Sequence, residues 1–254
     1  MVIYVGLAVL APLLGWLEQR AAPAASPEPH ERKIDLAYWV LTPLATGSLS
    51  RAFTLGSFAL LSLASGRHPA EGMTLIAWPA HLVRSWPMSA QVVLALLVGD
   101  LVGYGSHRLR HRWLWRLHRV HHFARILRAL SAARLHPLDE LIDSVAIGVT
   151  LFVLGFDWAA IAITGPLTLL YTLVTHARVD WSYGALGHVF VSPRFHRMHH
   201  ARKYADRSVN FSGVFAFWDA LFGSRDSASA FDGPVGVEPE LERTLWAQLV
   251  EPLR

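Results

Sequence analysis

Long apolar runs separated by short arginine-rich segments set the pattern of this chain. Residues 1–17 are almost continuously apolar and end at Glu18, Gln19 and Arg20. Residues 36–65 form a second long apolar stretch, interrupted by Gly47 and Arg51, and residues 88–104 form a third. Residues 141–155 and 158–174 follow, joined at Phe156 and Asp157. A helix needs roughly 20 mostly apolar residues to cross about 30 Å of hydrocarbon. The pattern therefore predicts an all-α, multi-pass membrane protein with about four to five apolar spans. The 36–65 stretch reads either as one long tilted helix or as a broken hairpin. The last two runs would extend only about 22–26 Å at helical rise, so they cross thinly or form a re-entrant hairpin. Residues 1–17 lack the positive n-region of a signal peptide. The Ala/Pro-rich stretch behind them keeps cleavage as the alternative.

Charge orders these spans across the membrane. Between His107 and Arg134 there are eight arginines and no acidic residue, and Arg202, Lys203 and Arg207 follow His200. The linker at 18–33 carries Arg20, Arg32 and Lys33. Cytoplasmic loops are rich in Lys and Arg, so these segments are expected on the cytoplasmic side. Two crossings between the linker and His107, then a hairpin back to His176, satisfy that bias. A hairpin at 36–65 would instead put the linker on the opposite side. Beyond the spans, residues 224–237 read as a polar loop. Residues 241–249 read as a short amphipathic helix with Leu245, Trp246 and Leu249 on one face.

Composition narrows the function. Hydrophobic residues make up 53% of the 254 and charged residues 17%, against roughly a quarter charged in ordinary soluble proteins. The net charge of +4 comes almost entirely from arginines lying between apolar runs, which argues against nucleic-acid binding. Cysteine is absent. Disulfides, thiolate zinc sites and cysteine-held iron–sulfur clusters are thereby excluded, and any metal must be held by nitrogen and oxygen.

Histidine carries the chemistry. Three clusters stand out: His107 and His111; His118, His121 and His122; and His196, His199 and His200. Of fourteen histidines, eleven lie between residues 107 and 200. His30, His68 and His81 read as ordinary surface or interface residues. Spacings of three and four place imidazoles on one helical face. Eight clustered imidazoles exceed what one metal usually binds. One continuous helix from His107 to His122 would spread them over roughly 22 Å, whereas metal–nitrogen bonds are only about 2.0–2.1 Å long. Either the chain bends between His111 and His118 or the clusters serve separate sites; the bend is the favoured reading. Arg112, Trp113, Trp115 and Arg116 between them suit a headgroup-level location. No carboxylate occurs between Leu101 and Leu138, unlike the carboxylate-rich di-iron bundles of soluble proteins.

The order H-x-x-x-H, H-x-x-H-H, H-x-x-H-H after apolar spans resembles the fatty acid hydroxylase/sterol desaturase superfamily. The likeness covers roughly residues 95–224. It includes Asp100 and Tyr104, the His136-Pro137-Leu138-Asp139 element, the isolated His176, and Ser192-Pro193-Arg194-Phe195 before His196. It closes with Asn210-Phe211, Phe217-Trp218-Asp219 and Leu221-Phe222-Gly223. The resemblance implies a dinuclear iron centre in a helical cap at the cytoplasmic face, with zinc possible in a purified form. O2 would be the co-substrate and a ferredoxin or cytochrome b5 type protein the external electron donor. Its implied ligands are His107, His111, His118, His121, His122, His176, His196, His199 and His200. His136 would be a ligand, a hydrogen-bond partner to one, or a substrate contact. His188 is a further candidate ligand, and Asp180 would bind metal or orient a ligand. Asp100 is expected to hydrogen-bond a ligand imidazole.

By the same likeness, residues 1–94 form an N-terminal transmembrane region, 95–224 the catalytic domain and 225–254 a tail. The membrane is a bacterial inner or ER-type one. The implied activity is O2-dependent lipid hydroxylation, with desaturation on the same site as the alternative and non-enzymatic metal binding as a third. Fatty acyl, sterol, ornithine, carotenoid and alkyl ether lipids are all within the superfamily's range. Gly148, Gly155 and Gly165 would allow close helix packing or open a lateral path for an acyl chain.

Overall fold

A computed structural model describes residues 2–21, 29–42, 44, 47–64, 83–204, 209–226, 233–238 and 244–254. Among the described residues the structure is helical, with no β-strand and two isolated bridges, Phe190 to Phe215 and Ala201 to Val235. The helices are α1 (Val2–Ala21), α2 (Pro29–Leu41), α3 (Gly47–Ala64), α4 (Met88–Trp113), α5 (Trp115–His118), α6 (Pro137–Val153), α7 (Trp158–His176), α8 (Pro193–His199), α9 (Phe217–Leu221) and α10 (Leu245–Val250). His68 and His81 lie outside the described residues, as do parts of the expected 224–237 loop and 241–249 helix.

Helices α4, α6 and α7 form the scaffold. By length and composition α4 and α7 can each cross a membrane. Local sequence sets their ends. Pro137 opens α6 behind the cap residue His136, and Asp139 and Glu140 favour its first turn. Gly155, at φ +80°, takes the left-handed position just past the end of α6. Asp157 Oδ1 then accepts from Ala159 N and caps α7.

The α6–α7 turn is tied to the start of α4 by Gln91. Its Oε1 accepts from Asp157 N, while its Nε2 donates to the carbonyls of Arg84 and Trp86. That turn therefore marks one end of the bundle. The C-terminal ends of α4 and α7 mark the other, and both carry histidines.

Small residues let α4 approach α6. A Cβ on Gly99 or Gly103 would sit 3.5 or 3.7 Å from the Ile147 side chain, the close approach that dispersion-driven packing in lipid requires. Ala95, Leu151 and Phe156 are buried at the same contact. Two of the glycines expected to do this do not. A Cβ on Gly165 would meet nothing within 4 Å, and Gly155 ends a helix.

The 36–65 stretch is helical in both halves, with Thr42 and Leu44 in π-helical geometry between α2 and α3. Its first half belongs to α2, which packs against residues 129–134 at the histidine end. There Trp39 Nε1 donates to Leu130 O at 2.9 Å, Asp35 pairs with the buried Arg134, and Ile34 and Tyr38 cover Val120 and Ala133. Only α3 continues as an apolar helix, packed along α6. Helix α1 lies against α7 through Leu14 and Leu173, and Glu18 near its end accepts from Ala129 N and Arg178 N at 2.8 and 3.0 Å. In α10, Leu245 and Leu249 join the Ile34–Tyr38 core, but Trp246 is 73% exposed. The three do not share a face, because residues 245 and 246 are about 100° apart on a helix.

Candidate metal centre

Five elements converge on one polar end. His107 and His111 lie in the last turns of α4, which stops at Trp113 because Leu114 adopts φ −121°, ψ 25°. The chain restarts as α5, delivering His118, and then as a 3-10 turn, His121–Phe123, delivering His121 and His122. This break is the bend that metal-bond lengths demanded, and it leaves the His111 and His118 rings 4.7 Å apart. His176 is the last residue of α7. His196 and His199 sit on α8, a helix begun by Ser192, whose Oγ accepts from Phe195 N, and by Pro193; His200 is its C-cap.

The nine imidazoles sort into two groups. His107, His111, His118, His122 and His199 form one, and His121, His176, His196 and His200 the other. Within each group one nitrogen per ring lies within 4.8 Å of all the others. The groups touch where His122 stacks on His200 at 4.3 Å between ring centroids.

Hydrogen bonds decide which nitrogen faces inward. Nδ1 of His107 lies 2.7 Å from Phe211 O, His121 3.2 Å from Arg134 O, His176 2.9 Å from Thr172 O and His199 2.7 Å from Val209 O. A carbonyl can only accept, so each Nδ1 carries the proton and each Nε2 is a bare lone pair. Yet His176 Nε2 lies 3.2 Å from His121 Nε2, and neither can donate. His111 Nε2 and His199 Nε2 are equally close. Nε2 of His107, His118 and His122 are buried without hydrogen-bond partners. Facing lone pairs at this distance repel unless a cation lies between them. The donor set therefore fits two metal ions held by nitrogen alone.

Burial tunes the same rings. It holds His118, His121, His122, His196 and His200 well below 6.5, aided by neighbouring imidazoles and, at His118, by Arg110. His199 is pushed down to about 4 by the same loss of water. The rings are thus neutral near pH 7, the form that binds metal.

Two buried carboxylates organise the surroundings. Asp139 Oδ2 accepts from His118 Nδ1 at 2.9 Å and from Arg110 Nη1 at 3.0 Å. Asp219 accepts from the backbone N–H groups of Phe211 and Ser212 and from Ser224 Oγ. It thereby fixes the loop whose Phe211 carbonyl orients His107. Asn210, at φ +60°, makes the reversal that presents both the Val209 and Phe211 carbonyls to imidazoles.

The profile described as Fatty acid hydroxylase matches residues 92–224, more than half of the chain. This chain belongs to the fatty acid hydroxylase family. It is 31% identical over 222 residues to ornithine lipid hydroxylase OlsE of Rhizobium tropici, covering 86% of this chain and 65% of that one. Alkylglycerol monooxygenase of Danio rerio is 26% identical, with 87% of this chain and 46% of the relative covered. Methylsterol monooxygenase 2-2 of Arabidopsis thaliana is 29% identical, with 55% and 54% covered. The chain spans less than two thirds of the length of each of these relatives. No solved structure matches it significantly.

In this fatty acid hydroxylase family member, four further candidates stand apart from both imidazole groups. His136 Nδ1 accepts from Leu138 N and its Nε2 donates to Leu249 O, so both nitrogens are engaged in capping α6 and anchoring α10. His188 is exposed on a 3-10 turn, Gly184–His188. Asp180 is paired with Arg194 at the surface. Asp100 bonds no imidazole; its carboxylate accepts from the N–H groups of Gly213, Val214 and Phe215. The carboxylate that does hold an imidazole is Asp139, and its position at the end of the His136–Asp139 element was the only sequence signal for it.

Proposed function

We propose that this chain is an integral-membrane, non-haem di-iron oxygenase that hydroxylates a C–H bond of a lipid. The observation that carries the proposal is the pair of nitrogen-only groups, in which the His121 and His176 lone pairs face each other at 3.2 Å. His107, His111, His118, His122 and His199 hold one iron, and His121, His176, His196 and His200 the other. An iron pair bound there supplies the oxidant that attacks an unactivated C–H bond. The net reaction consumes RH, O2, two electrons and two protons and yields ROH and water.

The protein's own contribution is positional. Asp139 and the carbonyls of Phe211, Val209, Arg134 and Thr172 fix ring orientation, and burial of the rings keeps bulk water away. Names of the relatives (ornithine lipid hydroxylase, alkylglycerol monooxygenase, methylsterol monooxygenase) support a lipid substrate. In this reading α1, α3, α4, α6 and α7 cross the membrane, and α2 lies along the surface. Residues 95–224 hold the site and 225–254 brace it. The arginines around the histidine end support an orientation toward the cytoplasm, where a soluble electron donor reaches it.

Purified enzyme loaded with iron, given a reductant, labelled O2 and bacterial lipid extract, tests this. A lipid gaining one labelled oxygen, lost in His118→Ala and His199→Ala, is the expected outcome. A product lacking two hydrogens would establish desaturation instead, and full turnover by both variants would refute the metal assignment.

A further inference from the structure

The geometry points to residues 181–191 and 213–223 as a lobe sunk among the lipid chains of the bilayer, beside α4 and α7. The inference rests on the membrane reading above, in which both helices cross. The two halves of the lobe form one unit. Val191 N donates to Val214 O and Ala216 N to Val189 O, each at 2.9 Å, around the Phe190–Phe215 bridge. That unit is fastened to both spans, on the mid-span side of the histidines. The Asp100 carboxylate accepts from the N–H groups of Gly213, Val214 and Phe215 at 3.2, 2.9 and 2.8 Å. Asp100 is the thirteenth of the 26 residues of α4 and lies about 10 Å before His107 along the helix. Tyr171 Oη donates to Val191 O at 2.8 Å, about 7 Å before His176 on α7. The lobe follows the last long apolar run of the sequence, yet it returns to the middle of a span.

The surface of the lobe matches that depth. From Trp181 to Pro193 and from Phe211 to Gly223 only His188 and Asp219 can carry charge near neutral pH, and Asp219 is buried. Leu186 is 62% exposed and Leu221 67%, and Trp181, Val189 and Phe222 are exposed with them among the described residues. Contiguous apolar exposure of this kind marks a contact surface. Its neighbours on the spans are alike: Leu101, beside Asp100, and Leu167, one turn before Tyr171, are also exposed. Irregular backbone survives in lipid only where its polar groups are paired within the protein. The lobe meets that demand. Beyond the contacts to Asp100, Leu186 O accepts from Val189 N and Phe190 N, while Arg108 and Arg225 donate to Phe222 O and Gly187 O. Asp100, an acid in mid-span, likewise has its partners in the three N–H groups. Phe222 stacks on Tyr104 at 5.2 Å, and Tyr104 meets Phe211 edge-on at 6.1 Å. Phe211 in turn lies 5.2–5.8 Å from the His107, His111 and His199 rings. The lobe thus brings the bilayer, the source of a lipid substrate, to the side of the five-imidazole group.

The chain has no cysteine, so a single introduced one carries a single nitroxide spin label. The test uses the whole chain, zinc-loaded, in phosphatidylcholine nanodiscs, labelled in Val189→Cys or Leu221→Cys. Leu101→Cys and Leu167→Cys serve as span references and Arg254→Cys as the water reference. Relaxation of each label by O2, which concentrates in lipid, is compared with relaxation by a water-soluble nickel chelate. The ratio of the O2 effect to the nickel effect should be several-fold higher at Val189 and Leu221 than at Arg254. It should also be higher at Val189 than at Leu221. Val189 pairs next to the segment held by Asp100, whereas the adjoining Phe222 is level with Tyr104 and Arg108, nearer the histidines. Ratios at Val189 and Leu221 equal to that at Arg254, beside lipid values at both references, would overturn the proposal and leave the membrane reading standing. Labels that neither reagent reaches would also overturn it, by showing a protein cover; spin–spin broadening would identify that cover as a second copy. Water values at the span references as well would sink the membrane reading and the lobe together.

Discussion

Asp139 offers the sharpest test of how the metal centre is organised. Its side chain is fully buried, and one oxygen serves both His118 Nδ1 and Arg110 Nη1. Replacing it with Ala removes the acceptor that fixes the His118 tautomer and strips Arg110 of one of two carboxylates, leaving Asp143 at 3.2 Å. Breaking a buried ion pair costs about 3–5 kcal/mol; the surviving Asp143 contact puts Asp139→Ala near the lower figure, about 3 kcal/mol. Loss of the partner behind a metal-bound histidine typically weakens the metal by about 10–100-fold. Asp139→Asn keeps an oxygen able to accept from His118 and removes only the charge, so its loss should be near tenfold.

His118 belongs to the five-imidazole group alone, so one of two metals should weaken while the other holds. Anaerobic chelator competition with Fe(II) or Zn(II), read as two binding steps, measures this, and thermal unfolding of the metal-free protein measures the stability change. Equal weakening of both steps, or unchanged affinity in Asp139→Ala, would refute the division into two groups.

Three further outcomes follow from the same contacts. Glu18→Ala leaves the N–H groups of Ala129 and Arg178 without their acceptor, at about 1–3 kcal/mol each, whereas Glu18→Gln keeps an accepting oxygen and should stay within about 1 kcal/mol in thermal unfolding. Unfolded imidazoles titrate near 6.5 and the buried His199 near 4, so the unfolded chain holds more protons between those values. Stability of the metal-free protein should therefore fall as pH drops from 6.5 toward 4, with metal release in the same window; a flat melting profile across it would contradict the buried, neutral rings. His188→Ala should keep two metals per chain with unchanged stability, and His136→Ala should keep two metals while losing about 1 kcal/mol of cap energy; metal content by mass spectrometry, beside a melting curve, checks both.

The histidines were legible because their chemistry is local. Three clusters at spacings of three and four, with an arginine-rich and acid-free surround, announce nitrogen ligands from residue type alone. Bond length then required a break between His111 and His118, and the chain supplies it at Leu114. What could not be read was the layer behind the rings, because most of it is main chain. The carbonyls of Phe211, Val209, Arg134 and Thr172 carry no side-chain signature, and which carbonyl meets which ring depends on long-range packing. The same limit explains Asp100. An acid near a span end looked like an imidazole partner, yet its oxygens satisfy three backbone donors of the 213–215 loop, a role that only the folded chain reveals. The placement of α2 was undecidable by hydropathy, since Tyr38 and Trp39 are as apolar as a span requires. Tyr38 is buried and Trp39 half-buried against the 120–134 region instead.

The two halves of the molecule are held by different forces, and this bears on how the site is made. At the α6–α7 turn the bundle closes with its own contacts: Gln91 is fully paired, Gly99 and Gly103 seat Ile147, and Ala95 and Leu151 are buried. Nothing there depends on a metal. At the other end, the lone pairs of buried His121 and His176 are pressed to 3.2 Å with no proton between them. That arrangement is unfavourable until cations bind, so part of the metal-binding free energy is spent in ordering this end. Five of the rings nevertheless stay aimed inward, because backbone carbonyls and Asp139 hold the outer nitrogens of His107, His118, His121, His176 and His199. The membrane helices thus set the frame, and the carbonyl layer pre-sets ring direction. Only the final approach of the nitrogens is left to the metals.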